Sequence, residues 1–230
     1  MGYSTCRDHE IIISELMKCS LLDVFRANSI SYLKLSKRTQ VSYSDQLAKG
    51  MNYLHTFKSP IIHRDLKPAN LLIDYAGTLK ITDFGLAKVR PDPNQNQEDQ
   101  FVMTGETGSY RFMAPEVFRH EQYTETVDIY SYAMILYYIF TGSPPWHDLS
   151  GLDAVSMAAI EGNRPEIPRS LDGRLSSLIQ MCWDENPVGR PSFSIILDIL
   201  DDYSNDIFGI DCDSVTLVEM EKRHSCCIIC

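Results

Sequence analysis

The sequence predicts an α+β fold that is mainly helical, with short strands confined to its first half. Apolar residues recur at helical spacing in four segments, and three of these fall in the second half of the chain. Two aliphatic runs flank a four-residue turn, and another aliphatic run opens the chain ahead of any helical pattern.

That opening run, Glu10 to Met17 (EIIISELM), suits a buried strand better than a helix and has no obvious partner strand upstream. From Val41 to His55 the residues Leu47, Ala48, Met51, Leu54 and His55 share one helical face, and the chain then turns at Ser59-Pro60. Leu71–Ile73 and Leu79–Ile81 flank Asp74-Tyr75-Ala76-Gly77, the composition of a tight hairpin. Between Pro91 and Gln100 two prolines and many amides leave nothing to bury, which predicts a mobile loop. Thr124 to Phe140 is apolar nearly all round and stops at Thr141-Gly142, so this helix belongs at the centre of the molecule. Amphipathic helices are expected at Leu171–Cys182 and Ser192–Tyr203, the latter with Phe193, Ile196, Leu197 and Leu200 on one face. Past Asp201 the pattern weakens, which divides the chain into a body over 1–203 and a tail over 204–230. There is no internal repeat.

A chain of 230 residues with 44% hydrophobic and 23% charged residues is ordinary for one globular domain. A net charge of -10 argues against nucleic acid as a partner, because displacing counterions from phosphates needs clustered Lys and Arg. The most apolar stretch, Ile129 to Phe140, falls well short of the roughly 20 residues a membrane-spanning helix needs, so no transmembrane segment is expected. Met1 to Glu10 carries Arg7, Asp8 and Glu10 and does not read as a signal peptide, which leaves cytoplasmic residence as the simplest assumption. Seven scattered cysteines, an odd number, suit free thiols in a reducing compartment.

Chemistry concentrates in His63-Arg64-Asp65-Leu66-Lys67-Pro68-Ala69-Asn70. Phosphoryl transfer needs a carboxylate to orient and deprotonate the acceptor hydroxyl, a cation beside the moving phosphate, and hard oxygen ligands for magnesium. Asp65, Lys67 and Asn70 supply one of each. Asp83-Phe84-Gly85 follows the run Leu79–Ile81 and offers a second oxygen ligand, so that Asn70 and Asp83 together make a candidate Mg2+ site. Ala114-Pro115-Glu116 closes the segment that Asp83 opens. Singly, each of these is as readily a surface carboxylate or a turn; their order and spacing together are specific.

On these three motifs the chain resembles a eukaryotic protein kinase from the hinge strand onward, over about residues 2–203. The resemblance implies a kinase-like fold consisting mainly of the helical C-terminal lobe plus the hinge strand, with most of the N-terminal β lobe missing. It implies Asp65 as catalytic base, Lys67 beside the phosphate, Asn70 and Asp83 as magnesium ligands, and ATP as the phosphate donor. Adenine would be bonded by backbone groups of Glu15 and Met17, with Leu72 as its floor and Ser14 as a small gatekeeper. Phe84 and His63 would stack, Asp128 would hold the catalytic loop, Glu116 would pair with Arg190, and Arg64 would receive a phosphate from the activation segment. Lysine two residues after Asp65 is the serine/threonine pattern, and Ser109 matches the hydroxyl that bonds this pair. Gly108-Ser109-Tyr110-Arg111-Phe112-Met113 and Cys182-Trp183 resemble the tyrosine-kinase-like group, with its Raf-like and mixed-lineage-like enzymes.

These 230 residues contain no Gly-x-Gly-x-x-Gly and no Val-Ala-x-Lys strand. Positioning of the ATP phosphates depends on those parts, so very weak transfer or none is expected of this chain alone, and so is a longer gene product of which it is a piece. Two functions stay open: a kinase acting on Ser/Thr hydroxyls of protein substrates, and a pseudokinase-like scaffold or binding module that keeps the helical lobe as a docking surface. Thr104 and Thr107 are candidate phosphorylation sites, against the plainer reading of solvated loop threonines. Cys227-Ile228-Ile229-Cys230 imitates a prenylation box and makes Cys227 a candidate lipid anchor, although a terminal Cys is atypical there.

Overall fold

The structure, a computed structural model, describes residues 2–6, 9–31, 35–89 and 109–209. The expected loop over 91–100, Thr104, Thr107 and Cys227 lie outside the described residues.

The chain begins with strands β1 (Gly2–Cys6) and β2 (His9–Ile13), antiparallel, with Ile12 opposite Tyr3. This corrects two expectations, since the opening aliphatic run has an upstream partner and is not buried: Ile12 and Ile13 are 80% and 59% exposed. The backbone groups of the run pair with β1, while its isoleucine side chains stay largely in water, Ile11 being the most covered of them at 44% exposed. The strand also stops at Ile13, and residues 14–17 run on without regular structure.

Strand β3 (Cys19–Ser20) leads into helix α1 (Leu21–Ser31), whose start is fixed by Asp23 accepting the backbone N–H of Ser20 at 2.9 Å. Helix α2 (Lys37–His55) begins four residues ahead of the expected Val41 because Ser36 caps it, its hydroxyl accepting the Thr39 N–H at 3.1 Å. Strands β4 (Ile61–Ile62), β5 (Leu71–Ile73), β6 (Leu79–Ile81) and β7 (Lys88–Val89) follow. They form a three-stranded sheet in the order β3-β5-β6 and a separate β4-β7 pair. The expected hairpin is therefore present as β5-β6, with Gly77 at φ 85 in its turn, a left-handed backbone that glycine adopts without a Cβ clash.

Beyond residue 109 the protein is helical: α3 (Pro115–Phe118), α4 (Thr126–Thr141), α5 (Gly151–Ala159), α6 (Gly173–Cys182) and α7 (Phe193–Phe208). Helix α4 is the axis of the core, as its composition predicted, with Tyr130, Tyr132, Ala133, Met134, Ile135 and Leu136 fully buried. It ends on Gly142 in a left-handed conformation, φ 77. Two side-chain bonds lock α4 to α2: Tyr132 OH donates to the Ser44 carbonyl at 3.0 Å, and Gln40 Nε2 to the Ile139 carbonyl at 2.8 Å. Helix α7 runs on through Phe208, past the expected end at Tyr203. No helix among the described residues is long and apolar enough to cross a membrane.

Candidate active site

The segment His63–Asn70 lies between β4 and β5, and one buried carboxylate shapes it. Asp128, in the first turn of α4 and fully buried, accepts the backbone N–H of His63 at 2.8 Å and that of Arg64 at 2.9 Å. A third bond comes from Nε2 of His55, at the end of α2, at 2.9 Å. Buried carboxylates persist where hydrogen bonds satisfy them, and these bonds fix the loop against two core helices. Arg64 takes a left-handed backbone, φ 68, which turns the chain so that Asp65 follows.

Asp65 is the centre of the polar cluster. Its Oδ2 lies 2.9 Å from Lys67 Nζ and accepts from Asn70 Nδ2 at 3.0 Å, while the same amide group donates to the Asp65 carbonyl at 2.9 Å. Lys67 Nζ also donates to Ser109 Oγ at 2.9 Å, which brings the turn Ser109–Phe112 onto the loop across a long stretch of sequence. Both ends of the Asp65–Lys67 pair are only about a tenth exposed, 11% and 10%.

Asp83 sits two residues past β6 and is tied in through Thr82, whose N–H donates to the Asn70 carbonyl at 3.0 Å. It too is left-handed, φ 65, and its exposed carboxylate has one long bond, from the Gly85 N–H at 3.4 Å. Non-glycine residues at positive φ are uncommon and cluster at functional sites; among the described residues there are four, and Arg64 and Asp83 are two of them. His63 is held as expected, edge-on to Phe84 at 5.1 Å. Its Nε2 meets the Thr82 carbonyl at 3.0 Å and must donate there, while Nδ1 lies 3.4 Å from the Asp65 N.

The donor chemistry fits a magnesium ion. Asn70 turns its NH2 toward Asp65, so its amide oxygen is the end directed away, and Asp83 offers a carboxylate with few competing bonds. Among the described residues no three His, Cys, Asp or Glu converge. Mg2+ takes one or two protein oxygens and completes its shell with water and phosphate, so Asn70 and Asp83 would suffice to hold it.

The adenine-side residues are placed less tightly. Leu72 is half-buried between the fully buried Leu71 and Ile73, so it points to the other face of β5. Its register partner on β6 is Lys80, and the Lys80 ammonium bonds the Glu15 carboxylate, which brings Glu15 over the face that carries Leu72. Met17 is half-buried, and the Lys18 N–H next to it donates to the Ile73 carbonyl at 2.8 Å.

One expected partnership is present with additions that sequence reasoning missed, and Arg64, expected to receive a phosphate, bonds other groups. Glu116 and Arg190 form a buried bidentate pair at 2.6 and 3.0 Å, and Arg190 also bonds the carbonyls of Asp184 and Thr126. Arg64 donates to the Leu86 carbonyl and to Tyr123 OH at 2.9 Å. His55, Thr82 and Tyr123 were not foreseen as site residues. Only His55 left a trace, as a polar residue on the buried face of α2.

Residues 1–200 match the family described as protein tyrosine and serine/threonine kinase. The chain belongs to the protein kinase family. It is 38% identical over 200 residues to serine/threonine-protein kinase STY17 of Arabidopsis thaliana, covering 87% of this chain and 33% of that protein. It is 45% identical over 176 residues to serine/threonine-protein kinase VIK of the same plant, covering 74% of this chain and 39% of that one. Dual specificity protein kinase splA of Dictyostelium discoideum is 33% identical over 203 residues, 83% of this chain and 8% of its own length. The chain thus spans about a third of the length of the first two relatives. The serine/threonine relatives agree with the tyrosine-kinase-like assignment.

Proposed function

We propose that this chain carries the catalytic half of a serine/threonine protein kinase, transferring the γ-phosphate of ATP to hydroxyls of protein substrates. The reading rests on Asp65: a nearly buried carboxylate held at once by Lys67 and Asn70, on a loop pinned by Asp128. As the substrate oxygen bonds to phosphorus and the bond from phosphorus to the departing ADP oxygen breaks, the Asp65 carboxylate orients the hydroxyl and takes its proton. Lys67, fixed between Asp65 and Ser109, places positive charge beside the transferring group. Asn70 and Asp83 would hold Mg2+, which when bound neutralises charge on the phosphates. Backbone groups of Glu15 and Met17 bond adenine over Leu72. The body expected over 1–203, continued by α7 to Phe208, is the partial catalytic domain, and the tail expected over 204–230 begins after that helix. Free thiols at Cys19 and Cys182 support residence in the reducing cytoplasm.

The test is transfer of radiolabelled γ-phosphate by the 230-residue chain, compared with Asp65→Asn, followed by phosphoamino-acid analysis. Slow incorporation that drops by roughly 100-fold or more in the variant is expected, with phosphoserine and phosphothreonine as products. Equal signals, or none from either protein, overturn the reading in favour of a scaffold. Phosphotyrosine alone overturns the substrate class.

A further inference from the structure

Arg111 makes a contact that none of the motifs explains. Its guanidinium donates to the carbonyl of Pro145 at 2.9 Å and also to those of Trp146 and Leu149, three acceptors on one loop. A fork of this kind matches the planar, five-donor guanidinium and no other side chain. The group is partly desolvated, which pushes its pKa down and makes the three acceptors necessary rather than incidental.

Each end of the contact is informative. The accepting loop is rigid on its far side, because Ser150 caps α5 immediately after Leu149 and α5 buries Ala154, Val155 and Ala158. Within the loop Trp146 is held at φ 46, a left-handed backbone that is a true outlier for a bulky residue and persists only where its surroundings impose it. At the other end is the turn Ser109–Phe112, which carries the hydroxyl bonded to Lys67. The turn is also tied by Ser131 Oγ donating to the Phe112 carbonyl at 2.7 Å and packs against α4 and α5, with Phe112 buried, so Arg111 adds the link to the loop 145–149.

We infer that Arg111 is a positioning residue for phosphoryl transfer to protein substrates: it anchors the Ser109–Phe112 turn to the loop 145–149 and so keeps Ser109 on Lys67 beside Asp65. The acceptor hydroxyl must sit against Asp65, so the residues flanking it on a substrate lie along this same turn. This deepens the kinase reading and depends on it for its catalytic part.

Arg111→Met, Arg111→Lys, Ser109→Ala and the double variant Ser109→Ala/Arg111→Met test it, with hydrogen exchange on peptides covering 109–113 and 143–149 and with steady-state kinetics. Faster exchange in both peptides is expected for Arg111→Met, and in 109–113 alone for Ser109→Ala; unchanged exchange in Arg111→Met overturns the anchor whether or not the chain is active. In kinetics, Arg111→Met is expected to lower kcat/KM for protein substrate on the order of 10- to 100-fold with KM for ATP unchanged, and Arg111→Lys to restore part of it. A second substitution on Ser109→Ala should add little, because Arg111 acts through Ser109. Fully multiplicative losses, or a fall in kcat matching the lost folded fraction with both KM values intact, overturn the positioning role. A wild-type chain without activity sinks the kinase reading and leaves the exchange result to decide the anchor.

Discussion

Two antiparallel strand pairs carry aliphatic runs, Ile11–Ile13 on β2 of one and Leu71–Ile73 on β5 of the other, and the runs end in opposite states. In β5-β6 the residues Leu71, Ile73, Leu79 and Ile81 are all buried, whereas in β1-β2 the residues Tyr3, Ile11, Ile12 and Ile13 are all exposed, Ile12 by 80%. Backbone pairing is complete in both. What separates them is the neighbour. Helix α2 lies against β6, and Gln46 on that helix accepts the Leu79 N–H at 2.6 Å, so the pair is fixed by a side chain from the core. The pair β1-β2 forms a sheet of its own. Two strands alone are marginal in water, and the catalytic motifs hang from the pair that has a third strand and a helix behind it.

The largest expected contrast comes from truncating one residue in each pair. Leu71→Ala removes a fully buried side chain beside the catalytic loop and should cost about 2–5 kcal/mol in urea unfolding. Ile12→Ala should change stability by roughly 0.5 kcal/mol or less, since the side chain is already in water. Similar losses at the two sites would mean that β1-β2 is packed as tightly as β5-β6.

Much of this was legible in the sequence, and the exceptions share a cause. The hairpin β5-β6, the helix α4 and the cluster Asp65, Lys67, Asn70 and Ser109 could be read because each is specified by residue type at fixed local spacing. The burial of an aliphatic run is not local: Ile11–Ile13 reads like Leu71–Ile73, and the difference lies in what packs upon it. Helix α5 was missed because its buried face is made of Ala154, Val155 and Ala158, small residues that give a weak apolar signal. Helix α1 mixes Asp23, Arg26 and Asn28 into a short segment, which hides its period. His55 and Tyr123 act on the loop through partners 73 and 59 residues away, and no spacing rule reaches so far.

The contact between α2 and β6 can be probed from the helix side at Gly50. A Cβ placed there would lie 2.6 Å from Ile81 Cδ1, closer than real contacts allow, so the glycine is what lets the strand approach. Gly50→Ala gains about 1 kcal/mol of helix propensity but forces a buried isoleucine to shift, which typically costs about 1–3 kcal/mol. A net loss of up to about 2 kcal/mol is expected, with Ile81→Val in the same chain restoring part of it; thermal unfolding of the native chain and these two variants measures both. A stabilised Gly50→Ala would show that β6 does not press on α2.

The smallest effect tests the turn that closes the buried pair. Asp74 Oδ1 accepts the N–H groups of Ala76 at 2.9 Å and Thr78 at 2.8 Å, and the Lys80 ammonium lies 3.6 Å from Oδ2. Partial desolvation pushes the Asp74 carboxyl up, but those two N–H groups and the Lys80 charge outweigh it and hold it below the usual aspartate value. A depressed carboxylate contributes stability that is present above the unfolded value, about 3.9, and is lost as pH falls through the folded one. Asp74→Asn keeps an oxygen for both N–H groups and removes the charge, so at pH 7 it should cost about 1 kcal/mol or less. Below pH 4 the difference from wild type should shrink, because the unfolded chain's carboxyl then takes up a proton that the native one, held lower, resists. A gap that instead widens with acid would assign the turn's stability to the geometry of the side chain alone, and would leave β5-β6 and β1-β2 separated by packing and nothing electrostatic.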